Sequence, residues 1–197
     1  MTDDRRKLPR PVTPDRLEAA ALAYLERFMA SSAQLRRVLL RRVDRSARLH
    51  GTDPAEGRVV VEALVARLAA SRLIDDRAFA AAKAASLHRG GASARAIAAR
   101  LAAKGIAADL RDAALAEHDD AAGSAPRPGG DLAAAAALAR RRRLGPYRPE
   151  PARAAFRQKD LATLARAGFA RGVAERVLGA ADPAALQGLV EETAEGG

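Results

Sequence analysis

Apolar residues recur at intervals of three and four along most of the chain, a spacing that is typical of amphipathic helices. Three such helices are predicted before residue 71, and Ser31 or Ser32 can cap the second by accepting a backbone hydrogen bond. Their apolar faces comprise Leu17, Ala21, Tyr24, Leu25, Phe28, Leu35, Val38, Leu39, Val43, Val61, Leu64, Val65 and Leu68. Residues 1–15 contain three prolines and predict a disordered arm, and the polar segment 44–57 predicts a loop.

The second half of the chain continues the helical pattern between stop signals. A helix through Phe79, Lys83 and Leu87 is expected to end at Gly90–Gly91, and Ser93 can cap the next. After one further helix come a predicted linker at 119–130, a helix capped by Asp131 and ended by Gly145–Pro146, helices at about 152–167 and 171–180, and a weakly structured acidic tail at 181–197.

An internal repeat is the strongest organisational signal. The stretch LAAKGIAADLRDAAL (101–115) aligns without gaps to LARAGFARGVAERVL (164–178). A Gly after a helix adopts the left-handed conformation that ends it, and the residue after that Gly packs back on the last turn. The structural candidates in the repeat are therefore Leu101, Gly105 and Ile106, matched by Leu164, Gly168 and Phe169.

A looser copy earlier in the chain, with Leu39, Val43, Val59 and Leu64, extends the repeat to three. The fold predicted is all-α, with about nine short helices in tandem three-helix repeats that stack into an elongated, curved array. The predicted repeats cover residues 16–73, 74–118 and 131–180.

Composition supports this fold and adds a strong positive charge. Alanine, the best helix former, is abundant, and alternating β-branched runs for a sheet are lacking. Lys and Arg number 34 against 24 Asp and Glu, and the net charge of +10 suits a polyanion or an acidic protein surface. The chain contains no Cys, which excludes disulfides and thiol catalysis. Without an evident signal peptide or membrane span, a soluble cytoplasmic monomer is expected.

Basic residues recur on the second helix of each predicted repeat, and they predict a stripe that binds a polyanion. The alternative is an ordinary solvated face of an Arg-rich protein. A run of four arginines before Gly145 either docks a partner or offsets the negative end of a helix. The candidate binding residues are Arg36, Arg37, Arg41, Arg42, Arg95, Arg100, Lys104, Arg140, Arg141, Arg142, Arg143, Tyr147, Arg148, Arg153, Arg157 and Arg166.

Catalytic and metal-binding patterns are missing from the sequence. His50, His88 and His118 lack partners at ligand or triad spacing, and no phosphate-loop or nucleophile-elbow motif is present. No metal or cofactor is therefore expected. The aromatic residues expected at helix-core positions are Tyr24, Phe28, Phe79, Phe156 and Phe169, which leaves Tyr147 as the free aromatic candidate.

The adjacent carboxylates Asp75 and Asp76 immediately precede an apolar-periodic helix. A side-chain oxygen at that place can accept from a free backbone N–H, and its charge suits the positive end of the helix. One of the two is therefore expected to cap the helix that carries Phe79. Ile74 and Phe79 are expected to anchor the junction of the first two repeats.

Four segments in a set order carry a family likeness: AYLERFMASSAQLRRVLLRR, LIDDRAFAAAK, SARAIAARLAAKGI, and ARRRRLGPY followed by LATLARAGFA and VAERVL. Together they resemble the RecX family of regulatory proteins, bacterial modulators of the RecA recombinase, over about residues 17–180. The sequence departs from the family at Ser71–Arg72, where Gly is usual, and at 44–57, which replaces a KG turn.

The resemblance implies three-helix repeats that lie in the groove of the RecA–DNA filament and inhibit the ATPase, strand-exchange and coprotease activities of RecA. Such a protein modulates recombination and the SOS response. The resemblance also implies no catalytic site, no cofactor, RecA as the partner, and single- or double-stranded DNA as a secondary contact. The alternatives are a repressor-like protein that binds DNA or RNA without RecA, and a helical scaffold for an acidic protein.

Overall fold

The computed structural model describes residues 9–121 and 128–195, which form ten α-helices and one 3₁₀ turn and contain no strand. The helices are α1 (Pro14–Leu25), α2 (Ser32–His50), α3 (Pro54–Ala70), α4 (Asp76–Arg89), α5 (Ala94–Ala103), α6 (Ala108–Ala121), α7 (Pro128–Arg142), α8 (Glu150–Arg166), α9 (Arg171–Gly179) and α10 (Pro183–Glu195). The first nine follow one another in groups of three, so the predicted all-α fold of tandem three-helix repeats is confirmed.

The chain divides into two compact units, unit 1 (residues 1–79) and unit 2 (residues 80–197), each with its own hydrophobic core. The core of unit 1 is formed by Leu17, Ala21, Leu35, Leu39, Val43, Val61, Leu64, Val65, Leu68 and Ile74. The largest buried side chains of the core of unit 2 are Leu132, Leu138, Leu144, Leu164, Phe169, Val177, Leu178 and Leu186.

Local sequence signals start the three helices of unit 1. Thr13, Ser31 and Asp53 cap α1, α2 and α3, each accepting a backbone N–H with its side-chain oxygen. Pro14 and Pro54 occupy the first turn of α1 and α3, where a missing N–H costs no hydrogen bond. Of the two serines proposed as caps of α2, Ser31 is the cap.

The prediction of a loop at 44–57 is wrong. Helix α2 continues through residues 44–50 and ends at Gly51, whose φ of +66° is left-handed, and α3 begins three residues later. The segment is polar because it lies mostly at the surface, and a solvated helical face has the composition of a loop. The glycine that ends the helix is thus present in the first repeat as well.

The arm before α1 was predicted to be disordered, and its residues 1–8 lie outside the described residues. From Pro9 onward the arm lies against α2. The N–H of Val12 donates to Ser46 Oγ over 3.0 Å, and His50 Nε2 lies 2.6 Å from the carbonyl oxygen of Pro9. Ser46 is 2% exposed, so the arm is fixed at a buried acceptor.

Helix α3 is followed, after Ser71, by an arginine in a conformation that usually requires Gly. Arg72 has φ of +56°, and the N–H groups of Leu73 and Ile74 bond to Leu68 O at 3.0 and 3.2 Å. The left-handed turn is therefore formed here by a residue with a side chain, at a cost of roughly 1–2 kcal/mol relative to Gly.

In unit 2 the two aligned segments form the same turn. Gly105 and Gly168 have φ of +80° and +94°, the left-handed region in which Gly carries no steric penalty. The closing N–H···O distances are 3.1 Å from Ile106 to Leu101 and 3.2 Å from Phe169 to Leu164. All four of these apolar residues are at most 4% exposed, so each helix end is also a core contact.

Helix α7 begins at Pro128, and the prediction that Asp131 caps it is wrong. Asp131 lies in the first turn, and its Oδ1 accepts instead from the N–H of Ala94, the first residue of α5, over 2.9 Å. The predicted linker 119–130 is shorter than expected because the flanking helices extend into it. Residues 122–127 lie outside the described part of the chain.

The predicted end of α7 at Gly145–Pro146 lies two residues beyond the observed end of the helix. Arg143 already has φ of +54°, and the N–H of Leu144 bonds to Ala139 O at 2.9 Å, which ends α7. Gly145–Tyr147 forms the 3₁₀ turn that leads towards α8.

The tail predicted to be weakly structured forms α10. Its Leu186 is fully buried, and Leu189 and Val190 pack against the core of unit 2. Asp182 accepts the N–H of Ala185 over 2.8 Å at the start of the helix. The acidic residues of the tail obscured an apolar spacing of three and four that is typical of a packed helix.

Candidate polyanion-binding site

Four of the candidate arginines meet in one recess of unit 2. Arg100 comes from α5, Arg141 and Arg142 from α7, and Arg166 from α8, and they line a cavity of about 340 Å³, which we call the unit 2 recess. No acidic residue is among the lining residues that the structure describes. Guanidinium groups are planar donors that bind phosphate or carboxylate in bidentate fashion, so this geometry suits an anion.

The wall of the unit 2 recess is set by a close approach of backbones. Gly91, in the turn between α4 and α5, lies against α7 so closely that a Cβ would come within 3.0 Å of Ala134 O. Arg166 is held at the C-terminal end of α8, where Nε donates to Ala162 O over 3.1 Å and Nη2 to Thr163 Oγ1 over 3.4 Å. The arginines of the recess therefore project from three packed helices, with Arg166 fixed by bonds within its own helix.

Two further candidates, Arg41 and Arg42, line a separate recess in unit 1. This recess also contains Arg10 and Arg45, which the sequence pattern did not identify. Arg45 lies one helical turn after Arg41, and it was missed because α2 was predicted to end at Val43. Nothing in the sequence pattern pointed to Arg10.

Arg148, which was proposed for binding, forms its contacts within the fold. Its Nε and Nη2 donate to the two carboxylate oxygens of Asp160, each over 2.8 Å, and its guanidinium lies 4.5 Å from the ring centre of Phe156. Asp160 is 1% exposed and also accepts the N–H of Gly145 over 3.0 Å. Sequence reasoning did not single out Asp160.

The electrostatics of this pair follow from its hydrogen bonds. Burial on its own would raise the pKa of Asp160, but the bonds from Arg148 and Gly145 outweigh burial and hold that pKa below its usual value. The bond to Asp160 likewise raises the pKa of Arg148. The carboxylate is therefore charged at neutral pH and ties the 3₁₀ turn to α8.

Three more candidates are engaged within the fold. Arg36 forms an ion pair with Glu62 at 2.8 Å. Arg153 donates to the carbonyl oxygens of Arg148, Pro146 and Ala181, and Arg157 donates to Leu178 O over 3.3 Å. The candidates that line neither recess and are not assigned to these fold contacts are Arg37, Arg95, Lys104, Arg140 and Arg143.

The aromatic residues are distributed differently from the prediction. Tyr147, expected to be free, is half-buried and packs against the core of unit 2. Phe28 and Phe156, expected in the core, are 51% and 38% exposed. Phe28 lies after the end of α1, with its ring centre 5.1 Å from that of Tyr24, and so the helical spacing no longer applies to it.

The two adjacent aspartates act at helix starts. Asp75 Oδ1 accepts the N–H of Ala78 over 2.8 Å in the first turn of α4. Asp76 Oδ1 accepts the N–H of Ser32, the first residue of α2, also over 2.8 Å. Both Ile74 and Phe79 are buried, at 4% and 7% exposure.

Neither metal chemistry nor a membrane segment has support in the described residues. Within them, no group of three or more His, Asp or Glu side chains is placed to hold a metal ion. His88 Nε2 lies 3.0 Å from Gly130 O, and the side chain of His118 lies outside the described residues. Across the same part of the chain, no helix combines the length and apolar character that crossing a bilayer requires.

The fold and the recesses define a basic, all-helical protein of tandem three-helix repeats. The family model for the second three-helix domain of RecX matches residues 75–115. Regulatory protein RecX of Myxococcus xanthus (strain DK1622) is 46% identical over 175 residues, covering 87% of this chain and 89% of that protein. Regulatory protein RecX of Agrobacterium fabrum (strain C58) is 30% identical over 159 residues, covering 81% and 79%.

A solved structure shares this architecture. The crystal structure of a regulatory protein RecX matches with a TM-score of 0.59 and 25% identity, covering 83% of this chain and 70% of that one. The chain belongs to the RecX family of regulatory proteins.

Proposed function

We propose that this protein binds the RecA–DNA filament and inhibits the ATPase, strand-exchange and coprotease activities of RecA, and so modulates recombination and the SOS response. Its membership of the RecX family supports RecA as the partner. In this proposal the protein acts in the cytoplasm as a monomer, without a cofactor and without catalysis, and DNA is a secondary contact.

The observation that carries the proposal is the unit 2 recess. Arg100, Arg141, Arg142 and Arg166 present four positive charges without a carboxylate among the lining residues. A filament of protein on DNA offers phosphates and carboxylates, and guanidinium groups bind both. A protein held in the filament groove would occupy space that incoming DNA and coprotease substrates require.

The test is RecA-dependent strand exchange, measured with and without the protein. Wild-type protein should inhibit at stoichiometric amounts, and Arg100→Ala/Arg166→Ala should need about a hundredfold more protein or beyond, since each of the two lost charge-assisted bonds contributes about 1.5–3 kcal/mol. The matched control is Arg95→Ala/Arg140→Ala, which removes the same charge from exposed positions outside the recess. No effect of wild-type protein would overturn the proposal. An equal loss in both variants would exclude the recess as the contact.

A second candidate function is direct binding of DNA or RNA without RecA. The arginines of the unit 2 recess favour it because phosphate contacts dominate nucleic-acid affinity. Affinity for bare DNA should then fall with salt by about 0.9 logarithmic units per phosphate contacted. Tight, sequence-specific binding to bare DNA, together with unchanged RecA activity, would favour this function over RecA inhibition.

A further inference from the structure

A second arginine-lined recess lies in unit 1, between the Pro9–Val12 segment and α2, with a volume of about 270 Å³. We call it the unit 1 recess. Arg41, Arg42 and Arg45 reach it from successive turns of α2, and Arg10 reaches it from the segment opposite. The recess therefore collects positive charge from two parts of the chain that are far apart in sequence.

The charges of the unit 1 recess are not balanced by its own walls. Neither Asp nor Glu occurs among the lining residues in the described part of the chain. Two carboxylates of α2 and α3 face other arginines, because Glu62 pairs with Arg36 and Asp44 lies 3.6 Å from Arg58. Like charges held in one small recess repel one another, and that repulsion is relieved when an anion binds.

Apart from Ser46 and His50, the remaining wall of the unit 1 recess is apolar. It includes Val12 and Val38, and Leu49, which is 46% exposed. A single nucleic-acid strand presents this combination to a protein, since it carries one charge per 3.4 Å along its backbone beside the less polar faces of its sugars. An acidic peptide carries its charges on flexible side chains and does not demand so dense a set of cations.

We propose that the unit 1 recess binds the phosphodiester backbone of a nucleic-acid strand, with the sugars against Val38 and Leu49. This site is separate from the unit 2 recess, and it requires no RecA. The arginines of α2 supply the phosphate contacts, and the segment carrying Arg10 closes the site from the opposite side.

The position of Arg10 depends on a strap made by its neighbours. Ser46 Oγ accepts from the N–H of Val12 over 3.0 Å and from the Thr52 hydroxyl over 2.9 Å. Two residues before Val12, Arg10 is thereby held opposite α2. A change at Ser46 should loosen the segment without altering the charge of the protein.

The experiment measures fluorescence anisotropy of a labelled single-stranded oligonucleotide with the full-length protein at several salt concentrations. Arg45→Ala should weaken binding about fivefold or more and reduce the slope of log K against log salt by about one. The control Arg48→Ala removes the same charge from an exposed position of α2 outside the recess, and should change affinity less than about twofold. Equal effects of the two variants, or no binding by wild-type protein, would overturn the proposal.

Two further arms identify the ligand. Ser46→Ala, checked by circular dichroism for retained helix, should weaken binding although its net charge is unchanged, and wild-type affinity would exclude the strap. Inorganic pyrophosphate and polyglutamate serve as competitors at equal charge concentration. If either one displaces the oligonucleotide, a small anion or an acidic peptide suffices, and the proposal of a strand-binding site is overturned. RecA is absent from these assays, so a negative result would not count against the proposed inhibition of RecA.

Discussion

At the residue scale, the arginines of this protein include some that hold the fold and others that line recesses. Arg148 and Arg153 are bound to Asp160 and to backbone carbonyls, whereas Arg100 and Arg166 line the unit 2 recess. The sequence does not separate the two groups. Their partners lie too far away along the chain for the spacing of residues within one helix to reveal them. Which of the arginines in the predicted stripe bind a polyanion therefore stays a prediction.

Arg148→Ala is expected to lower the free energy of unfolding by about 3–5 kcal/mol at neutral pH, because it leaves the carboxylate of Asp160 buried and unpaired. Urea unfolding monitored by circular dichroism measures this change. Arg143→Ala, at an exposed position, is the matched loss of one positive charge and should cost far less. A loss below about 1 kcal/mol for Arg148→Ala would contradict the structural role.

The same pair predicts a dependence on pH with a definite sign. The pKa of Asp160 is lowered by folding, so its contribution is present above the unfolded pKa of about 3.9 and is lost as the pH falls through the lower folded value. In Arg148→Ala the buried carboxyl is instead stabilised by protonation, so the deficit of the variant should shrink between pH 7 and pH 4. A deficit that grows on acidification would show that the pair is not the cause.

At the element scale, the middle helices of the three repeats, α2, α5 and α8, can be aligned with one another. At one aligned position α2 and α5 carry a buried aliphatic residue, whereas α8 carries the buried carboxylate of an ion pair. Ser31 and Leu35 start α2 as Ser93 and Ile97 start α5, with a cap followed four residues later by a buried aliphatic residue. In α8 the position four residues before Leu164, which matches Ile97, is Asp160. Extending the repeat alignment one turn upstream would have exposed this exception in the sequence.

The starts of α2 and α5 are also capped from outside, by a carboxylate in the first turn of another helix. Asp76 of α4 serves Ser32, and Asp131 of α7 serves Ala94. Each bond satisfies an N–H that the helix itself leaves free, and places negative charge at the positive end of the helix. Of the two adjacent aspartates, Asp76 thus connects two helices, whereas Asp75 acts at the start of its own helix.

Asp76→Ala is expected to lower the free energy of unfolding by about 0.5–2 kcal/mol, because the Ser32 N–H loses its acceptor. Asp76→Asn keeps an acceptor oxygen and should retain most of the stability, and Asp112→Ala, an exposed position of α6, controls for lost negative charge. Thermal unfolding of the three variants measures the difference. Unchanged melting of Asp76→Ala together with lost inhibition of RecA would instead indicate a functional carboxylate.

The sequence predicted helices best where apolar spacing was uninterrupted and glycine or serine marked the ends, as in α5 and the turn at Gly105. It failed where polar residues lie on helices, as at Ser46, whose burial depends on a bond from Val12 that no periodicity reveals. The candidate site shows the same limit. Arg100 and Arg166 could be recognised singly, but their convergence is set by the packing of three helices.

At the scale of the whole molecule, the charge is large and unevenly compensated. The net charge is +10, and two recesses each hold four arginines without an acidic lining residue in the described chain. Exposed ion pairs such as Arg67–Glu18, at 2.7 Å, contribute little to stability in water. Repulsion among unpaired cations should therefore exceed the attraction of the surface pairs, and this balance determines how the protein responds to salt.

We expect the Tm to rise between 20 and 200 mM sodium chloride, because the Debye length shortens from about 30 Å at 0.01 M to about 8 Å at 0.15 M salt, and added salt therefore weakens the repulsion among the exposed recess arginines. A gain of 1 kcal/mol corresponds to roughly 2–4 °C for a chain of this size. The variant Arg41→Ala/Arg45→Ala/Arg100→Ala/Arg166→Ala should melt higher at low salt and respond less to added salt, whereas Arg148→Ala should not gain stability. A Tm that falls with salt in the wild type would mean that attractive surface pairs dominate. Repulsion among the recess arginines would then not limit the stability of the protein.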